Sequence, residues 1–129
     1  MKQTAAVYSD GGKNNLMGVY GSFAVVVNDD EVRHNHFEYE NLKTAQEAEV
    51  ETMLNALTYI QSIDQTAPGR VEWILYLDAA FVVGHLLNEK PKIAKKFQNA
   101  FRKARKLIKE HNVVIEQVSG YYMKAILGH

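Results

Sequence analysis

Asp10, Glu49 and Asp78 are the residues of this 129-residue chain best suited to do chemistry. Asp10 follows the apolar run Ala5-Ala6-Val7-Tyr8-Ser9 and runs into Gly11-Gly12, while Asp78 closes Trp73-Ile74-Leu75-Tyr76-Leu77. Glu49 lies four residues before Met53 on the stripe Met53, Ala56, Leu57, Ile60. Helix periodicity therefore turns Glu49 inward, rather than Glu47 or Glu51. An acid facing a core is costly unless something positive meets it. Three oxygen donors brought together would suit Mg²⁺ or Mn²⁺, with positions left for water and phosphate. Each acid also has a plainer reading by itself: Asp-Gly turn chemistry, an N-cap for a helix at Ala79, or a tilted and partly solvated helix residue.

The elements that must position these acids follow from local patterns. Thr4–Ser9 reads as a short apolar strand, Gly11–Asn15 as a turn, Val19–Val27 as a β-branched strand, Asn28–Asp30 as a second turn and Val32–Tyr39 as a half-exposed strand. Thr44-Ala45-Gln46-Glu47 matches a capping box that opens the helix carrying Glu49. Pro68-Gly69 breaks the chain before Val71–Leu77, whose near-continuous apolar character suits the buried centre of a sheet. A helix follows from Ala79 to about Asn88, and Pro91 is placed to start the next. That next helix carries the stripe Ile93, Phe97, Ala100, Phe101, Ala104, Leu107, Ile108. Val113–Val118 is a last strand, and Ser119–His129 gives no clear signal. The order β-β-β-α-β-α-α-β predicts an α/β fold with a mixed sheet: a meander of three antiparallel strands, then strands returning through helical crossovers. If the first strand and Val71–Leu77 are parallel neighbours, Asp10 and Asp78 emerge together at their carboxyl ends, where open α/β sheets place their sites.

The length fits a single domain spanning 1–129 with a real core. There is no cysteine, no signal-peptide pattern after Met1, and no apolar stretch of membrane-spanning length. The expectation is a cytoplasmic monomer that does not engage a membrane. The net charge of zero hides an asymmetry. Residues 1–89 carry 5 Lys/Arg against 13 Asp/Glu, and residues 90–129 carry 10 against 2. Lys90–Lys109 holds nine basic residues and no acid, which hints at an anionic partner. His34 and His36 share a strand face without an evident third metal ligand and, like His85 and His111, read as ordinary polar residues.

Three segments together resemble the ribonuclease H family: Val7-Tyr8-Ser9-Asp10-Gly11-Gly12, Thr44-Ala45-Gln46-Glu47-Ala48-Glu49, and Leu75-Tyr76-Leu77-Asp78-Ala79-Ala80. They stand in the family's order and spacing over nearly the whole chain. The resemblance implies an RNase H-like five-stranded mixed sheet flanked by helices. It implies that Asp10, Glu49 and Asp78 hold two Mg²⁺ ions (Mn²⁺ as a substitute) and hydrolyse the RNA strand of RNA–DNA hybrids to 3′-hydroxyl and 5′-phosphate ends. It also implies substrate contacts from Gly11, Gly12, Thr44 and Gln46, and a basic helix holding the DNA strand. The sequence departs from the family at four places. Ala45 and Gln46 replace the paired Asn residues, and Ala79 replaces a Ser. Tyr121 stands where many members carry a His. The fourth acid, in an Asn-x-x-Ala-Asp motif on a C-terminal helix, has no counterpart before His129: either the usual C-terminal helix is lacking from this sequence, or His129 stands in as a nitrogen ligand, or the site works without a fourth ligand. Two alternatives therefore stay open: a catalytically degenerate nucleic-acid-binding module, and another nuclease on the same fold.

Overall fold

A computed structural model describes residues 2–89 and 92–128. The expected roles of Pro91 as a helix start, Lys90 as part of the basic run and His129 as a ligand lie outside the described residues. Five strands form one mixed sheet in the order β3-β2-β1-β4-β5. The chain runs β1 (Gln3–Asn14), β2 (Gly18–Val27), β3 (Asp30–Glu38), α1 (Ala45–Asp64), β4 (Val71–Leu77), α2 (Ala80–Leu86), a 3₁₀ turn at Lys95–Phe97, α3 (Gln98–Glu110), β5 (Val114–Gln117) and α4 (Gly120–Leu127).

The meander is antiparallel, and β4 pairs parallel to both β1 and β5. Asn28 and Asp29, both at positive φ, make the tight turn between β2 and β3. Thr44 caps α1 in the expected box: its hydroxyl accepts from the Glu47 N–H at 3.1 Å, and Glu47 accepts from the Thr44 N–H at the same distance. On one sheet face, Val7, Phe23, Trp73 and Leu75 pack against Met53, Leu57 and Ile60 of α1, with Phe101 of α3 completing the layer. On the other face, α4 lays Met123 and Leu127 over Tyr8 and Ala24.

Three expectations are corrected. Gly11–Asn14 are strand, not turn, because the β1–β2 ladder continues through Gly11↔Gly21 and Gly12↔Tyr20. The turn lies at Asn15–Met17, where Asn14 Oδ1 accepts from the Leu16 and Met17 N–H groups. The basic helix starts later than the proline implies: residues 92–94 are irregular, and neither Ala94 nor Phe97 offers a side-chain cap. Ser119–Leu127, without a clear signal in the sequence, is a helix capped by Ser119, whose hydroxyl accepts from the Tyr122 N–H, and stopped by Gly128 in the left-handed conformation.

Far from the acids, Asp64 ties four segments together. It accepts from His111 Nδ1 at 2.8 Å and from the Gly69 N–H at 3.3 Å, and the Trp73 indole faces it. The His111 contact, foremost, holds the Asp64 carboxyl below its ordinary range. A depressed carboxyl stabilises the fold above its unfolded pKa, and that contribution is lost as pH falls through the folded value. Asp64→Asn should therefore cost about 1–3 kcal/mol in urea unfolding at pH 7, as for a hydrogen bond to a charged group. The difference from the parent should close below about pH 3.

Candidate metal and nucleic-acid site

β1 outruns its neighbour on one side. Its pairing with β4 ends at Tyr8↔Tyr76, while its pairing with β2 continues to Asn14. Asp10 therefore stands where β4 has just stopped, beside Asp78, the first residue after β4. α2 is capped at Ala79 without a side-chain hydrogen bond, so Asp78 has no capping role there. Glu49 arrives from the second turn of α1, half-buried at the edge of the stripe that holds Ala48, Val50 and Met53. What lets it arrive is Gly11. A Cβ at that position would overlap the Ala48 carbonyl carbon and lie 2.5 Å from the Glu49 nitrogen. The β1 backbone and the α1 backbone are in direct contact.

One carboxylate oxygen from each of Asp10, Glu49 and Asp78 lies within 4.8 Å of the others. Desolvation first, and then the charge of Asp78, raise the Asp10 carboxyl from 3.8 to about 7. The same two causes, in the same order, raise Glu49 from 4.5 to about 7. Partial burial with mutual repulsion is an arrangement a divalent cation relieves, and all-oxygen donors match Mg²⁺ or Mn²⁺. The residues present therefore fit such an ion.

The other sequence-predicted residues divide. Gly11 is buried against α1, and Gly12 lies under the Tyr20 hydroxyl, which a Cβ there would approach to 2.9 Å. The Thr44 hydroxyl is engaged with Glu47, and Gln46 is exposed on the first turn of α1. On α3 the stripe Phe101, Ala104, Leu107 is buried, and Arg102, Lys103, Lys106 and Lys109 are exposed. Lys96 sits across a small cleft from Glu47 and Glu51, which brings the basic segment next to the start of α1. Gly120, which sequence reasoning missed, opens α4 beside the acids; a Cβ there would lie 3.4 Å from Asp78 Oδ2. No acid follows Glu116 in the chain, so α4 brings no carboxylate to the cluster. A cleft of about 410 Å³ lies around Lys2, Asp64, Trp73 and His111 and includes none of the three acids.

A family model described as RNase H matches residues 2–129. No curated protein matches the chain. Among solved structures, RNase H1 from the halophilic archaeon Halobacterium salinarum is similar with a TM-score of 0.78 at 18% identity, covering 94% of this chain and 89% of that one. The N-terminal RNase H domain of a Mycobacterium tuberculosis protein gives 0.78 at 15% identity, covering 96% and 88%. An RNase H1 isolated from compost, solved in complex with an RNA/DNA hybrid, gives 0.73 at 18% identity, covering 94% and 89%. At these identities the likeness shows the fold.

Two outcomes follow from the geometry. Gly11→Ala should destabilise the fold by about 1–3 kcal/mol, the range for overpacking, because backbone lies on the other side; thermal or urea unfolding reads it. Second, the raised carboxyls make the metal-free fold sensitive to pH. Between about pH 4 and 7 the folded chain holds protons that the unfolded chain has released, so stability falls as pH rises through that window. In chelator, Asp78→Asn should therefore unfold at a higher temperature than the parent at pH 8, with the gap shrinking toward pH 5. A gap that widens on acidification would contradict the assignment.

Proposed function

This chain belongs to the ribonuclease H family, and from that premise we propose that it is a divalent-metal-dependent endoribonuclease that hydrolyses the RNA strand of RNA–DNA hybrids. The observation that carries this reading is the cluster of three carboxylates at the end of β4, each with an oxygen within 4.8 Å of the others. Asp10, Glu49 and Asp78 would hold the ion, Mg²⁺ or Mn²⁺. Bound there, it would supply the positive charge that lets a phosphodiester approach three acids and would lower the pKa of an attacking water. The carboxyls of Asp10 and Glu49 give up their protons on loading, so occupancy is favoured as pH rises through 7.

Recognition falls to the neighbours of the acids. Gln46, exposed on the first turn of α1, has an amide that can both donate to and accept from a 2′-hydroxyl, the group that tells RNA from DNA. The exposed cations of α3, with Lys96 beside α1, would grip the phosphates of the DNA strand, giving affinity without sequence preference. The compost RNase H1 solved with a hybrid supports this substrate class.

One observation favours a second reading, a hybrid-binding module without turnover: glycine, not an acid, faces Asp78 from α4. A single experiment separates the two. Incubated with Mg²⁺ or Mn²⁺, the protein should cut a labelled RNA–DNA hybrid internally, leaving 5′-phosphates, and should leave duplex and branched DNA intact. Asp10→Asn should abolish cleavage with an unchanged circular dichroism spectrum. A hybrid that is bound but stays whole in both metals supports the binding module instead.

A further inference from the structure

Beyond α4, the sheet face that carries Asp10 stays open toward β3. Cross-strand register maps it: Asp10 pairs with Ser22 and Ser22 with His36, while Gly12 pairs with Tyr20. Directly opposed residues share a face, so these side chains rise on one side of the sheet. There a groove of about 380 Å³ runs between the β1–β2 hairpin and the end of α4, lined by Asn14, Met17, Tyr20, His34, His36 and Leu127. Its floor is aromatic. The Tyr20 and His36 rings lie 6.3 Å apart and within 20° of parallel. The floor also reaches the acid cluster, because the Tyr20 hydroxyl lies over Gly12, two residues along β1 from Asp10 on the same face.

We propose that this groove is a subsite for one unpaired nucleotide of the substrate strand, its base held on the Tyr20–His36 floor while the adjoining phosphate reaches the acids. The proposal rests on the nuclease reading and extends it to a substrate class: hybrids whose RNA strand continues into a single-stranded extension. A π-face accepts any base, so the floor selects for an available base rather than for sequence. Met17 and Leu127 give the apolar walls, and Asn14 and His34 line the polar part of the same space. Two inter-strand spacings, about 10 Å, separate Asp10 from His36, a distance that a flexible nucleotide or two can span. A base still paired and stacked in a duplex is not free to enter between a hairpin and a helix; an unstacked one is.

The test has a binding arm that needs no cleavage. Adenosine or uridine, added to the full chain in chelator, should shift the ring-proton resonances of Tyr20 and His36. Tyr20→Leu, which keeps apolar bulk without a ring, should weaken that binding about five- to a hundredfold, as expected for loss of base stacking. If Tyr20→Leu does not fold, His36→Ala, at an exposed position, carries the same expectation. In the cleavage arm, a hybrid with a single-stranded RNA extension should show a lower KM than its blunt counterpart, and either variant should erase that advantage. Nucleosides at saturating solubility that leave both rings unmoved, or a KM indifferent to the extension, would overturn the proposal. Ring shifts in a protein that cuts no hybrid would keep the subsite and remove only the nuclease reading.

Discussion

The backbone of β1 touches the backbone of α1 at Gly11, and the candidate site depends on that contact. A side chain there would have to occupy space held by Ala48 and Glu49. With the helix seated directly on the strand, Glu49 is carried to the level of Asp10 although the two lie on different layers of the molecule. Parallel pairing of β1 with β4 sets the remaining coordinate by ending β4 one residue short of Asp78. The acids are therefore placed by packing and pairing rather than by attraction among themselves. Their own interaction is repulsive, which is why burial and charge together push Asp10 and Glu49 toward neutrality. A fold that spends stability on holding like charges together is better explained by a cation than by structure alone.

Much of this was legible in the sequence, and for identifiable reasons. The capping box at Thr44 is a local signal, and the structure reproduces it bond for bond. The near-continuous apolar run Val71–Leu77 announces a central strand, and β4 does lie between β1 and β5, although only its Trp73, Leu75 and Leu77 face, turned to the main core, is fully buried. The phase of Glu49 follows from Met53 and Ala56. What was not legible depends on partners distant in sequence. Gly11-Gly12 looks like a turn because two glycines in a row usually are one. Only the contact with α1 on one face and Tyr20 on the other shows why glycine is required inside a strand. α4 was missed because eight residues are too few to show a period. Its caps, Ser119 and Gly128, were the only available signal. The place of Gly120 beside Asp78 could not be inferred without knowing where α4 begins.

The charge asymmetry along the chain acquires a spatial meaning. The acid-rich N-terminal part builds the meander, α1 and the acid cluster, and the basic C-terminal part builds α3. The two meet where Lys96 approaches the first turn of α1. A polyanion lying across this junction would find cations along α3 and, at the acids, a region it can approach only with a metal ion in place. This division of labour lets the phosphate grip be strong and sequence-blind while hydrolysis is confined to one point. Among the described residues the cluster holds three carboxylates, with Gly120 the α4 residue beside Asp78, and a loaded ion would complete its shell with further ligands such as water and substrate oxygens.

The central claim is that these three carboxylates form a divalent-cation site. Crystals grown with Mn²⁺ and measured at its absorption edge test that claim most directly. An anomalous peak enclosed by Asp10, Glu49 and Asp78, and lost in Asp78→Asn, is the expected result. Fully occupied Mn²⁺ elsewhere in the molecule, with no peak between the three acids, would contradict it.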